Sequence, residues 1–582
     1  MTPAIKSPNQ CISKLASGKI KWNLWGESVV CRAKEINKPI CVFVHNNASR
    51  WSHAMMENFS GGEITKLMNE DFVPVLADCC DAPQLALAAR ASSHMMVGHA
   101  GWPLILFLTP DKKPIFASAY MPKSSEDPKN PGLLEVLRRI KWLWLMKNEQ
   151  VVRAADGFAE QLSKALSPYA APESDNLAEK AAEQLISEAD MQNGGFGVSP
   201  KFPYATKLLL CSCLAELHGN AETERISKKT LDAYTSGAMY DHVGGGFFDY
   251  CSDGLFRKPY LGKHLAQNAA MLAVLENAYS RSKKPLYKEI FEETFDALEA
   301  FGLGDGLYCS GDDISDVRAV GEYYLFGNKD ILSVPENYAG NFFESFEIVA
   351  GGNYSDPLTQ EPSKKHLLYL RDAEKLKGRS EVKAALAVLE ARRRKKTRPP
   401  LEKCVRIYEN AYLAAVLARA SASLGKTALL DAAIKTVDRI LQLEDSAGLC
   451  HCVYGTSRDG AATLDDFACL ALACLEIYSV TGEKTWLDMA IERCRKAEEL
   501  FGDGAMSITS PDASDICAAY DCVDGDLPSG NGIMANVLIS LCSITGEQSF
   551  RDRACAIISA FGGALNEYPA SCAALTIAAL RR

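Results

Sequence analysis

A Gly-rich turn leading into an apolar or aromatic residue recurs through the last two thirds of this 582-residue chain. It reads Gly194-Gly195-Phe196, Gly245-Gly246-Phe247, Asp305-Gly306-Leu307-Tyr308, Ala447-Gly448-Leu449 and Asp503-Gly504-Ala505-Met506. The first two copies stand 51 residues apart, and one long gap interrupts the series. From about residue 175 strand signals fade, and apolar periodicity predicts helices over 208–217, 265–279, 411–424, 464–478 and 533–544. One period therefore holds two helices and two loops, as a helical-hairpin repeat requires. No polar capping repeat marks either end, which favours a closed ring over an open solenoid. The long gap accommodates further hairpins and an insertion near 310–400.

Residues 20–125 obey a different rule. Apolar runs at 40–44, 72–77, 104–108 and 115–117 predict strands, and 82–96 is helical in composition. That order predicts an α/β sandwich. Trp102-Pro103, just before the third strand, is a position suited to a cis proline. The first strand runs into HNNASRWSHAMMENF, residues 45–59, where Trp51, Met55 and Phe59 recur at helical spacing. A strand-to-helix junction can hold a reactive anion, because free N–H groups and the helix dipole stabilise it.

Composition excludes several classes. Apolar residues make up 47% and charged residues 23%, the profile of a well-packed globular chain. No window approaches 18 consecutive apolar residues, and the first residues lack the apolar core of a secretory signal. We therefore expect a cytoplasmic protein that does not enter membranes. The net charge of −10 argues against nucleic-acid binding. One basic run, Arg392 to Arg398, reads as the solvated end of a helix stopped by Pro399-Pro400, or as a localisation or anion-binding patch. The 20 cysteines contain no CxxC; only the CxC pairs Cys211/Cys213 and Cys450/Cys452 and the doublet Cys79-Cys80 stand out. Neither CxC pair has a second pair at zinc spacing, so no metal and no other cofactor is expected.

Trp22, Trp25-Gly26, Lys38-Pro39-Ile40, Trp51-Ser52-His53, Gly101-Trp102-Pro103 and Phe107-Leu108-Thr109-Pro110-Asp111 occur in an order that resembles the thioredoxin-domain proteins of the YyaL and spermatogenesis-associated type. The likeness continues through Gly194-Gly195-Phe196-Gly197, Pro200-Lys201-Phe202-Pro203, the run Tyr240 to Phe247, Leu464-Asp465-Asp466 and Pro528-Ser529-Gly530-Asn531. The resemblance implies an α/β thioredoxin-like domain over 1–170. An all-α (α/α)6 toroid, similar to N-acylglucosamine 2-epimerases and six-hairpin glycosidases, would follow over 171–582.

Departures from that pattern carry the functional expectation. The family's Cys-His-Trp-Cys-His stands here as Ser49-Arg50-Trp51-Ser52-His53, beside Pro103. Dithiol exchange needs a thiolate and a resolving thiol, and a serine hydroxyl ionises far too weakly to replace either. No carboxylate is placed to orient His45 or His53, which argues against a serine hydrolase; Ser49 is expected to cap the helix instead. In the toroid the family's second motif resembles Gly-Gly-Gly-Phe-His-Arg-Tyr-Ser followed by Pro-His-Phe-Glu-Lys-Met-Leu-Tyr-Asp-Asn. This chain reads Phe248-Asp249-Tyr250-Cys251 and Pro259-Tyr260-Leu261-Gly262 at the corresponding places, so histidines and acids are lost.

What survives suits binding of a sugar or polyol: Asp241, His242, Tyr250, Tyr260, Asn268, Glu322, Tyr324, Asn410 and Asn531. The competing expectation is that the acids and amides cap helices, that the tyrosines pack in the core, and that His242 bonds its own loop. Glu409 with Asp465 or Asp466 is the carboxylate set to test for catalysis. The leading expectation is a redox-inactive, non-catalytic binding protein. A carbohydrate-active epimerase or hydrolase in the toroid is the first alternative. A scaffold that holds a protein partner on the thioredoxin-like surface is the second.

Overall fold

In the computed structural model, which describes residues 7, 9–127, 129–371, 379–511 and 516–582, four strands build the first unit's sheet. They are β1 (Ile40–His45), β2 (Val73–Asp78), β3 (Leu104–Leu108) and β4 (Pro114–Ser118), in the order β2-β1-β3-β4. β1 lies parallel to β2, with Ile40 opposite Val73 and His45 opposite Asp78. β3 is antiparallel to both β1 and β4. Apolar runs without alternation signal a sheet covered on both faces. Alternate side chains indeed serve two cores: Cys41, Phe43, Leu76, Ile105 and Phe107 join Met55 and Phe59, while Ile40, Val42, Val44 and Leu106 join Leu85 and Ala89. Trp102-Pro103 is cis.

The first unit comprises Met1–Pro168 together with Cys450–Thr463 and Ser507–Asp521. Its main stretch thus ends beside the expected boundary at 170, but the unit also takes two later segments that composition did not reveal. The first of these is a hairpin, Cys450–Tyr454 paired with Ser457–Ala461, anchored where the Tyr454 hydroxyl donates to Asp81 at 2.8 Å. The second lies against the helix Pro83–Val97: the Gln84 amide donates to the Cys517 carbonyl at 2.8 Å and accepts from Thr509 at 3.1 Å. Cys450 and Cys452 are therefore strand residues on one face of a hairpin.

The second unit comprises Tyr169–Leu449, Leu464–Met506 and Cys522–Arg582. Six helices form its inner wall: Ala205–His218, Leu265–Ser282, Ile407–Leu424, Leu464–Thr481, Gly530–Thr545 and Ala573–Arg581. Each packs on the next, and the sixth returns to the first, which closes the ring. The helices Leu177–Glu188, Ala221–Ser236, Pro285–Leu298, Thr427–Leu441, Lys484–Phe501 and Gln548–Ala560 alternate with them along the chain. Burial separates the two sets. In the third inner helix 14 of 18 residues are buried, against 5 of 15 in Thr427–Leu441, an outer helix with one apolar face. The insertion between the second and third hairpins has its own core, including Tyr324, Phe326, Phe342 and Leu389. Its residues 372–378 lie outside the described residues.

The recurring Gly turns have a shared physical role. Three are gripped by an asparagine on the next inner helix. Asn268 accepts the Phe247 N–H (2.7 Å) and donates to the Phe247 carbonyl (3.0 Å). Asn410 does the same to Tyr308 (2.8 and 3.0 Å) and Asn531 to Met506 (3.0 and 2.9 Å). Two of the turns close on a lysine, the second of them one that Asn268 also grips. Lys201 reaches Asp190 (2.9 Å) and the Gly194 carbonyl (3.0 Å), and Lys263 reaches Asp241 (2.7 Å) and the Gly245 carbonyl. Glycine is required at Gly245: its φ is +69°, and a Cβ there would stand 2.1 Å from the Glu293 carbonyl oxygen.

The basic run needs correction. Only part of it is solvated: Arg393 is 3% exposed and pairs with Asp241, Lys396 donates to the Leu325 carbonyl, and Arg398 lies 3.5 Å from buried Asp312. A helix end that carries the counter-charge for a buried aspartate is structural. Replacing Asn410 with Ala leaves the Tyr308 N–H and carbonyl buried without partners, which costs about 2–3 kcal/mol. Urea unfolding should show that loss, with one at least as large for Asn410→Asp, whose buried carboxylate would face the Tyr308 and Arg406 carbonyls.

Candidate functional site

The strand-to-helix turn of the first unit is built by its own side chains. The Asn46 side chain accepts from the Ala48 N–H at 2.9 Å, and the Ser49 N–H donates to the Asn46 carbonyl at 3.0 Å. This reverses the chain into the helix Arg50–Asn58. Ser49 occupies the cap position, but its hydroxyl makes no capping bond; it donates to the Trp102 carbonyl at 3.3 Å. The expected capping role is thereby corrected. Ser52 is fully buried and accepts the Asn46 N–H at 3.2 Å. His53 lies 3.0 Å from the Asn47 carbonyl and edge-on to His45, with ring centres 4.8 Å apart. Burial and the neighbouring His53 push His45 well below the usual imidazole range, so it is neutral at pH 7. Trp51 packs edge-on to Tyr120. Pro103 follows Trp102 in the cis peptide, so the degenerate redox residues are together in space. None of them supplies a thiolate.

In the ring, the sequence-selected residues divide. Asn268, Asn410 and Asn531 engage loop backbone, as described. Asp241 is buried between Lys263 and Arg393; these cations outweigh its burial and hold its carboxyl well below the usual range. His242 bonds the Gly237 carbonyl at 3.1 Å, and burial lowers it to about 4. Tyr250 stacks on Tyr260 (4.5 Å) and Phe202 (4.6 Å). Tyr324 is buried, with its hydroxyl donating to Asp312, whereas Glu322 is exposed and pairs with Lys365. Glu409 is buried in the first turn of the third inner helix, accepting from Arg406 (3.4 Å) and Tyr408 (3.3 Å); burial pushes its carboxyl up. Asp466 accepts the Tyr408 N–H at 2.9 Å and so fixes that same helix start, while Asp465 lies against Gly530.

A second polar group near the start of the second inner helix escaped the sequence reading. Burial raises Asp249, with the charge of Asp526 adding to the shift, and burial lowers His264. Opposite shifts on an acid and an imidazole are the kind of pairing that proton transfer uses. Gln267 of the same helix turn donates to the Asp249 carbonyl. His264 and Asp249 both fall inside the stretch that departs from the resembled motif.

The centre of the ring is open. A cavity of about 960 Å³ is lined by one polar side chain or more from every inner helix, among them Glu216, Glu276, Arg419, Glu476, Asn536 and Arg581. Arg419 binds Glu276 at 2.8 Å and Glu476 at 3.3 Å, and Tyr412 shares the wall. Glu216, Glu276, Arg419 and Glu476 each stand at the twelfth or thirteenth residue of their helices. A charge recurring at one level of four mostly apolar helices is a readable signal, and it was missed. The residues selected from the sequence do not line this cavity.

Several known proteins are similar to this chain. Residues 5–163 match the family model Thioredox_DsbH, a protein of unknown function, DUF255. The chain is 25% identical over 615 residues to an uncharacterised protein of Caenorhabditis elegans, covering 97% of this chain and 83% of that one. It is 24% identical over 616 residues to spermatogenesis-associated protein 20 of Homo sapiens, covering 95% and 77%. Similar solved structures include a D-mannose isomerase (12% identity, TM-score 0.43, covering 67% of this chain and 87% of that one). A cellobiose 2-epimerase from Bacillus thermoamylovorans is also similar (11%, TM-score 0.42, covering 66% and 86%). The resemblance read from the motifs therefore holds along nearly the whole chain. No described helix is long and apolar enough to cross a membrane.

His242 makes stability depend on pH. Its folded pKa of about 4 lies below the usual 6.5, so protons bind the unfolded chain more tightly. The contribution is complete above pH 6.5 and is lost as pH falls towards 4, by roughly 3 kcal/mol. Chemical denaturation from pH 7 to 4 should show a shallower decline for His242→Gln than for the wild type.

Proposed function

We propose, for a chain whose relatives include spermatogenesis-associated protein 20, that the second unit binds a small hydroxylated molecule of the sugar or polyol class. The supporting observation is the polar cavity of about 960 Å³ at the ring centre. Its volume is of ligand-pocket size. Its carboxylates, guanidiniums and amides offer both donors and acceptors to the hydroxyls of one ligand. Tyr412 offers an aromatic ring beside them.

Titration of a panel of monosaccharides, disaccharides and polyols by calorimetry is the direct test. At least one should bind, and Arg581→Leu or Tyr412→Phe should weaken it by about tenfold to a hundredfold, the effect of one charge-assisted or neutral hydrogen bond. No binding across the panel would overturn the reading. A second reading, an acid–base enzyme of carbohydrate, draws support from Asp249, raised by burial, and His264, lowered by burial, with Gln267 of the His264 helix donating to the Asp249 carbonyl. Product analysis of the bound sugar separates the two, since turnover abolished in His264→Gln favours catalysis.

The first unit, in this reading, performs no dithiol exchange at residues 49–52. Ser49 and Ser52 stand at the two thiol positions, and a hydroxyl forms no mixed disulfide. Insulin reduction should be negligible for the wild type and measurable for the double variant Ser49→Cys, Ser52→Cys. Reduction by the wild type at a rate equal to the double variant's would refute the claim.

A further inference from the structure

Cys79 and Cys80 follow directly on β2, at the edge where the parallel pair β1 and β2 ends. The Cys79 N–H donates to the His45 carbonyl at 2.8 Å, so the doublet is fixed beside the turn that begins at Asn46. In open α/β sheets this edge, beyond the carboxyl ends of the strands, is where ligands bind. The Asp78 carboxylate accepts the Cys80 N–H at 2.9 Å, which turns its head group towards the two thiols. The two Sγ atoms lie 3.5 Å apart, and one oxygen of Asp78 and both sulfurs all fall within 4.8 Å of one another.

Two chemistries could use such a doublet, and the distances decide between them. A disulfide would require the sulfurs to close to about 2.05 Å across consecutive residues. The Cα atoms of neighbours are held about 3.8 Å apart by a trans peptide, less than the usual disulfide span of roughly 4.4–6.8 Å. A tetrahedral cation bound to two thiolates at about 2.3 Å holds its sulfurs roughly 3.8 Å apart. The observed 3.5 Å lies close to that bite. The neighbouring carboxylate also separates the cases. Beside a thiolate nucleophile its charge is unfavourable, whereas beside a bound dication it neutralises charge and adds an oxygen ligand.

We infer that Asp78, Cys79 and Cys80 form a binding site for a thiophilic divalent cation, of the class of Zn²⁺. The site has two sulfur ligands and one carboxylate. Asp78 and Cys79 are nearly buried, at 2% and 7% exposure, while Cys80 is half-buried and gives the ion its entry. Three protein ligands leave one tetrahedral position for water or another small ligand. Cysteine spacing gives no expectation of a metal here, because zinc sites read from sequence rest on paired CxxC or CxC motifs. Adjacent cysteines at a strand end satisfy the same ligand geometry through the fold.

The test uses the full chain, stripped with a chelator under reducing conditions and then titrated with Cd²⁺ as a spectroscopic probe and with Zn²⁺ against a competing dye. We expect one equivalent to bind with a thiolate-to-metal absorption band, and Zn²⁺ to protect Cys80 from alkylation as read by peptide mass spectrometry. Cys80→Ser should weaken binding by more than about tenfold, and Asp78→Asn by about tenfold. Alkylation mapping on the wild type keeps the test valid if a variant fails to fold. An unchanged stoichiometry and affinity in Cys80→Ser, or alkylation of Cys80 at the same rate with and without Zn²⁺, overturns the site. A Cys79–Cys80 disulfide in the untreated protein also overturns it.

Discussion

The ring depends on buried polar side chains that hold loop backbone. Six inner helices present mostly apolar surface, which drives their assembly but does not set their relative height. Height is fixed where Asn268, Asn410 and Asn531 each grip one residue of a preceding turn through both its N–H and its carbonyl. Lys201 and Lys263 act on the first two turns, each with an aspartate at the turn's start. In the second turn Arg393 supplies another cation, so Asp241 is compensated twice. Buried charges persist only when paired, and removing one member of such a set is far more damaging than its net contribution suggests.

That constraint explains why so many residues selected as ligand groups turned out to face the fold. An asparagine near a helix start and an aspartate beside three glycines look alike whether they hold a sugar or a loop. Side-chain amides match the peptide group in donor and acceptor pattern, so they serve the backbone as readily as a hydroxylated ligand. In the first unit the corresponding lesson concerns hydroxyls. Ser49 and Ser52 now bond the Trp102 carbonyl and the Asn46 N–H, so the turn retains its shape without its sulfur.

Much of the architecture was legible. Strands β1 to β4 were readable as bounded apolar runs, and five of six inner helices as longer ones. The sixth, Ala573–Arg581, has only 9 residues, too few for a periodic pattern to stand out. The Gly turns gave the repeat, because left-handed backbone conformations leave a mark in composition. Three-dimensional partners of polar residues were not legible. The basic run looked solvated because its counter-charge, Asp241, lies 152 residues away from Arg393. The cavity was missed for a related reason: Glu276, Arg419 and Glu476 are separated in sequence by whole hairpins and meet only when the ring closes. Discontinuity of the first unit was invisible because the inserted hairpin has no signal distinguishing it from a ring loop.

That discontinuity bears on how the protein is made. A ribosome releases the chain from its N-terminus, and the first unit draws its last segment from Ser507–Asp521. The sheet's four strands are all available within the first 118 residues, yet the unit stays incomplete until most of the ring has been synthesised. The helix Pro83–Val97 must keep the Gln84 amide unengaged through that interval, in water or against a chaperone, before Cys517 and Thr509 arrive. Cutting the gene at residue 168 therefore leaves out two segments of the unit. It yields the nascent intermediate.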